Sequence, residues 1–249
     1  MITVGVDLAA EPDTTAVAVL EWRAKGAELT ALTVPADDAA VLQLAQGADK
    51  IGIDCPLGWP DAFVEFLSAH RERRADTANH VMGGEWRRGL ANRLTDRLVR
   101  EQLNIIPLSV ATDRIGLTAM RAARLQNLLA ERGHPIDRAG AGLIVEVYPA
   151  AGLNYWQLDH RRYKGGKQRS RLGELVDSLL RAAPWLTLSG YEPLCRHSDH
   201  AFDAVVAALL ARASALRLAS IPGTDEERAA ADTEGWIALP TAPLADLAR

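Results

Sequence analysis

Cysteine is scarce: Cys55 and Cys195 are the only two in 249 residues, and neither belongs to a CxxC pair. That argues against a disulfide-stapled scaffold and against structural zinc, and the His197/His200 pair has no third ligand to change the conclusion. Long apolar runs are missing as well. No segment approaches the roughly 18 uninterrupted apolar residues of a membrane span, and the chain opens on a strand-like run with no basic and apolar leader before it. The expectation is a soluble cytoplasmic protein with no membrane partner. Charge of one sign is also lacking: the formal net charge is -4, so the protein is no basic coat, and a polyanion would have to meet a local patch. Repeats, low-complexity tracts and a convincing interdomain linker are absent. With 48% hydrophobic residues the chain can bury one large core. One domain over residues 1–249 is expected, with a helical insertion at 60–135 and a C-terminal extension at 220–249.

What is present is concentrated in four phrases: Gly-Val-Asp at Asp7, Gly-Ile-Asp-Cys-Pro at Asp54, Val-Glu-Val-Tyr-Pro at Glu146 and His-Ala-Phe-Asp-Ala at Asp203. Each sets a carboxylate in or beside an apolar segment, where an unpaired charge is costly and demands a partner. If the four converge, a divalent cation is the natural partner.

Periodicity places these phrases on elements. Ile2, Val4 and Val6 share one face of a first strand, with Thr3, Gly5 and Asp7 on the other, and Gly5 lets something approach closely. Turns at Glu11-Pro12-Asp13 and Lys25-Gly26 separate this strand from Thr14–Trp22 and Glu28–Val34, a sequential antiparallel meander. Asp37 and Asp38 open a helix to about Gln46, and Lys50–Asp54 reads as a short buried strand closed by Pro56. Helices are expected from Pro60, from Gly83-Gly84 to about Leu103, and from about Asp113 to Glu131, ending at Gly133-His134-Pro135. Leu143–Tyr148 is a fifth strand, and helices follow near Leu172–Ala182 and Asp199–Leu216. The tail from Ile221 reads as loop apart from Trp236–Leu239.

The order of three meander strands, helix, strand, helices, strand and helix looks like the ribonuclease H fold, an α/β mixed five-stranded sheet with helices on both faces and helical insertions. GVDLAA at Gly5–Ala10, IGIDCPLGWP at Ile51–Pro60, RLTD at Arg93–Asp96, VEVYPAA at Val145–Ala151, YK at Tyr163-Lys164 and HAFDAVVAALLA at His200–Ala211 resemble, in this order, domain-of-unknown-function family 429. That resemblance implies a ribonuclease H-like fold and a predicted nuclease. Ribonuclease H-like resolvases carry a similar HxxDA run on a late helix, which makes His200 a candidate for positioning water or moving a proton.

The residues themselves suit that chemistry. Two-metal phosphodiester hydrolysis needs ions about 3.5–4 Å apart, and magnesium or manganese takes hard oxygen ligands. Asp7, Asp54, Glu146 and Asp203 are the candidate catalytic acids, with His200 beside them. Asp7, Asp54, Glu146, Asp199 and Asp203 are the candidate ligands for Mg2+ or Mn2+. Asp199 also reads as a helix N-cap, His200 as an ordinary helix-terminus histidine, and Glu146 equally as the partner of an arginine. Arg93 and Asp96 are candidate contacts to substrate phosphate, or a surface ion pair of little worth. From Arg161 to Arg171 there are six Lys or Arg residues and no acid. Such a loop, with Tyr163 within it and Lys164 and Arg169 as contacts, could clamp phosphates or stack on a base of DNA or RNA, or simply be solvated. Two other readings stand beside the nuclease: an actin-like phosphotransferase using Thr14-Thr15, for which the chain is short, and a binding protein that keeps the fold without catalysis.

Overall fold

Alternation on the first strand decides the architecture. In the computed structural model, which describes residues 1–24, 26–74, 84–165 and 168–249, β1 (Ile2–Asp7) lies at the centre of the sheet. Lys25, Gly83, Gly166 and Lys167, which carried parts of the expected turns and basic loop, lie outside the described residues. β1 pairs antiparallel with β2 (Ala16–Arg23), which pairs antiparallel with β3 (Gly26–Thr33). On its other side β1 runs parallel to β4 (Lys50–Asp54), and β4 parallel to β5 (Ile144–Glu146). The protein is thus α/β with a mixed sheet.

Among the described residues the sheet has six strands rather than five, in the order β5-β4-β1-β2-β3-β6. The additional strand, β6 (Leu186–Thr187), is only two residues long and pairs parallel with the start of β3. A segment that short carries no alternation from which to read a strand.

Helices cover both faces. Val4, Val6, Ile51 and Ile53 pack against α1 (Asp38–Leu44) and α5 (Ile115–Glu131). The opposite face, with Ala16, Ala18 and Leu20, packs against α9 (Asp199–Ala215), itself enclosed by α6 (Pro149–Tyr155), α7 (Arg169–Ala182) and α8 (Glu192–His197). α9 is buried along most of its length, which is why it is apolar on all sides instead of along one stripe. It sits close because β1 and β4 present glycine to it: a Cβ at Gly5 would collide with the Ala204 carbonyl oxygen and the Ala208 nitrogen, and one at Gly52 would press on the Ala207 carbonyl.

Between β4 and β5 lie α2 (Asp61–Arg71), α3 (Gly84–Ala91), α4 (Leu94–Leu103) and α5. The expected continuous helix from Gly84 to Leu103 is broken at Asn92-Arg93, because Asp96 turns back to accept the Arg93 backbone N–H at 2.9 Å and starts α4 afresh. The tail is not a loop throughout, since α10 (Asp225–Glu234) forms behind a Thr224/Glu227 capping box. Among the described residues no helix is long and apolar enough to cross a membrane.

Candidate functional site

Asp7 and Asp54 are the last residues of two adjacent parallel strands and are paired in register. Neighbours across a sheet project to the same side, so both side chains face α9. Asp203, in the second turn of α9, comes down on that face. One carboxylate oxygen from each of Asp7, Asp54 and Asp203 lies within 4.8 Å of the others, a group that could hold a metal ion. Asp7 and Asp203 are buried and Asp54 half-buried.

The charge balance around these acids is incomplete among the described residues. Asp203 is 1% exposed; its Oδ1 accepts the Tyr163 hydroxyl at 2.6 Å and its Oδ2 pairs with the Lys164 ammonium at 2.6 Å. His200 places Nδ1 2.7 Å from Asp7 Oδ2. Among the described residues, one ammonium and one titratable imidazole therefore face three carboxylates. The proton affinities reflect this. Burial, reinforced by Asp7 and Asp203 and opposed by Lys164, holds the Asp54 carboxyl well above its ordinary value. Burial also pushes Asp203 up to about 6, again against Lys164. Burial would lower the Lys164 pKa, but Asp203, Asp54 and Asp7 outweigh it and raise the value. The hydrogen bond to Asp7 raises that of His200.

Asp199 is the first residue of α9, yet Ser198 is the N-cap, its hydroxyl accepting the Ala201 N–H at 3.2 Å. Asp199 instead accepts the Gly165 N–H at 2.8 Å, fastening the loop that carries Tyr163 and Lys164 to the head of α9. It is not one of the three clustered acids.

Glu146 is also outside that cluster, and sheet register is the reason. It pairs with Ile53, not Asp54, and so projects to the opposite face of the sheet. There both its oxygens meet Arg93, at 2.6 and 2.7 Å, and Oε2 also accepts the Leu57 N–H at 2.9 Å. Of the two roles open to Glu146, the geometry places it opposite an arginine.

Arg93 and Asp96 are no surface pair. Arg93 is 1% exposed, and its guanidinium donates to Asp96 through Nε at 3.2 Å and Nη2 at 2.9 Å, to both Glu146 oxygens, and to the Glu234 carbonyl at 3.0 Å. A guanidinium has five N–H donors, and all are committed, which leaves none for a substrate phosphate. Burial would lower the Arg93 pKa, but Glu146 and Asp96 raise it further. Arg169 stands exposed at the start of α7, with no ion pair or side-chain hydrogen bond to the three acids among the described residues.

Two residues escaped the sequence reading of the site. Tyr163 appeared as an aromatic able to stack on a base; it is buried, packed edge-on to Phe202 with ring centroids 6.1 Å apart, and serves as the Asp203 donor. Its lone aromatic character within a charge run was the available signal. Glu234 had none, because its carboxylate engages the Leu94 N–H at 2.7 Å and the Asp61 N–H at 2.9 Å across more than a hundred residues of sequence.

Asp7 and Asp54 open onto a cleft of about 340 Å³ whose walls also include Arg93, Glu146, Tyr148 and Lys164. Beside it, sharing Asp96 and Pro107, lies a groove of about 530 Å³ lined by Phe66, Trp86, Arg97 and Arg100. A family described as "Protein of unknown function (DUF429)" matches residues 5–227, nearly the whole chain. The chain belongs to the DUF429 family. Neither a curated protein nor a solved structure matches it. In this DUF429 member the matched span contains the end of β1 and all of β4 and α9, so Asp7, Asp54 and Asp203 all fall within it.

Proposed function

We propose that this protein is a divalent-metal-dependent nuclease with a ribonuclease H-like fold, hydrolysing phosphodiester bonds of DNA or RNA. The observation that carries it is the convergence of Asp7, Asp54 and Asp203 to within 4.8 Å at one end of the sheet, beside an open cleft. Acids on the first strand, the fourth strand and a late helix support the ribonuclease H-like reading. The donor set fits Mg2+ or Mn2+, being all hard carboxylate oxygen with no thiolate. A bound ion would activate water and stabilise the leaving oxygen.

The chain's own groups supply the remainder. With Nδ1–H donated to Asp7 Oδ2, the imidazole of His200 keeps Nε2 for the proton of the attacking water. As the water oxygen bonds to phosphorus and the ester P–O bond breaks, the departing oxygen takes its proton from solvent. Tyr163 and Lys164 hold Asp203 ionised and oriented.

A polymer is favoured by the adjoining groove. Phe66 and Trp86 meet edge-to-face at 5.8 Å there. Aromatic surface is what the bases of a single nucleic-acid strand stack on, and Arg88, Arg97 and Arg100 stand in the groove lining among Glu65, Glu85 and Asp96. The actin-like reading loses support because Thr15 is buried with its hydroxyl spent, donating to the Glu11 carbonyl and accepting from Ala9 N–H and Arg121.

The test is cleavage of labelled single- and double-stranded DNA and RNA with Mg2+, Mn2+ or EDTA. Metal-dependent products that vanish in Asp7→Asn are expected. Absence of cleavage of all four substrates with either metal would overturn the reading.

A further inference from the structure

Few of the described carboxylates near the cleft are uncommitted. A two-ion centre holds its cations about 3.5–4 Å apart and must supply oxygen ligands to both. Here Glu146 lines the same cleft but has both oxygens on Arg93, and Asp199 is spent on the Gly165 N–H. Asp96 and Glu234 are committed to Arg93 and to the helix starts at Leu94 and Asp61. Among the described residues, Asp7, Asp54 and Asp203 are the whole clustered set. One of these, Asp203, already carries a cation on Oδ2.

That cation is held in place by its neighbours in sequence. Tyr163, immediately before it, is buried against Phe202 and bonded to the other oxygen of Asp203. Gly165, immediately after it, is tied through its N–H to Asp199. Lys164 is thus anchored on both sides to the first two turns of α9, and its ammonium sits 2.6 Å from a candidate ligand of the metal. The Lys164 side chain is 53% exposed and lines the cleft, so one side of it remains open to a ligand.

We propose that the centre takes a single divalent ion and that the Lys164 ammonium occupies the place of the second, as a tethered cation that neutralises Asp203 and meets a non-bridging phosphate oxygen of the substrate. This rests on the nuclease reading above. Lys164 forms and breaks no bond in this role; it contributes a fixed positive charge where negative charge develops. A lysine placed this way also competes with metal for Asp203, which removal of the ammonium would relieve.

Mn2+ binding to the full-length metal-free protein, followed by calorimetry and electron paramagnetic resonance, tests this without reference to turnover. Wild type is expected to bind one Mn2+ per chain with no Mn–Mn coupling. Lys164→Ala, checked for an unchanged circular-dichroism spectrum, should bind Mn2+ at least about tenfold more tightly, because a unit charge a few ångströms away has gone. Lys164→Arg, which keeps the charge, should retain one ion at near wild-type affinity and guards against misfolding of the alanine variant. Two coupled ions in wild type, or an affinity unaltered by Lys164→Ala, would overturn the proposal and leave a metal nuclease standing. No Mn2+ binding by wild type would instead remove the nuclease reading on which it rests.

Discussion

Tyr163 and Asp203, forty residues apart in sequence, share a hydrogen bond of 2.6 Å inside the protein. The phenol donates to a carboxylate that also carries the Lys164 ammonium, so a buried acid with no backbone donor among the described residues is satisfied by two consecutive side chains of one loop. A hydrogen bond to a charged group contributes about 1.5–3 kcal/mol. Tyr163→Phe should therefore lower the stability of the metal-free protein by about that amount, read from urea denaturation. A shift below about 0.5 kcal/mol would mean that water replaces the phenol at no cost.

The carboxylates themselves behave differently. Asp7→Asn and Asp203→Asn each remove one negative charge from a crowded group, so the fold should persist while metal binding and metal-dependent cleavage fall by at least about a thousandfold, the scale on which groups acting as a unit fail. Thermal melts and initial cleavage rates separate the two effects. Wild-type turnover in both variants would place the chemistry elsewhere.

Acidification should stabilise the metal-free protein between pH 7.5 and 5. Burial raises the carboxyls of Asp54 and Asp203, the latter from 3.8 to about 6, and a group raised on folding adds stability that is complete below its unfolded value and disappears as pH rises through its folded value. His200, raised above 6.5 by its bond to Asp7, acts in the same direction over the same window. The melting temperature in EDTA should thus be higher at pH 5 than at pH 7.5, and Asp54→Asn should reduce the difference. Equal melting temperatures at the two values would show that other groups offset the cluster.

Arg93 is the residue whose loss should cost most. Replacing it with Met strands Glu146 and Asp96 in the interior without their cation, a situation that costs about 3–5 kcal/mol. Adding Glu146→Gln to that variant should recover part of the loss by discharging one of the stranded acids. Chemical denaturation of the single and double variants gives both numbers.

Much of this was legible beforehand because it depends on local period. The alternation of β1 put Asp7 on the face of Gly5, and the glycine signalled a close neighbour, which is the α9 backbone. Asp54 closing β4 and Asp203 on an all-apolar helix were legible for the same reason. Glu146 was not, because a strand of three residues reveals which of its residues share a side but not which neighbour each one meets; pairing with Ile53 instead of Asp54 reverses the face. The break before α4 rests on a side chain reaching back to its own helix start, and Arg93 on Glu146 and Glu234 from distant sequence. α10 did leave a local mark, Thr224 three residues ahead of Glu227, although its low apolar content made it read as loop.

The last acceptor of the Arg93 guanidinium is the backbone carbonyl of Glu234, 141 residues further along. On the ribosome the helix beginning at Leu94 emerges well before that acceptor is synthesised, and Arg93, just ahead of it, travels through the early stages of biogenesis with that donor left to water. Vectorial synthesis thus leaves this corner of the protein immature until the final helix arrives, which makes stalled chains ending before that point natural clients for chaperones and proteases.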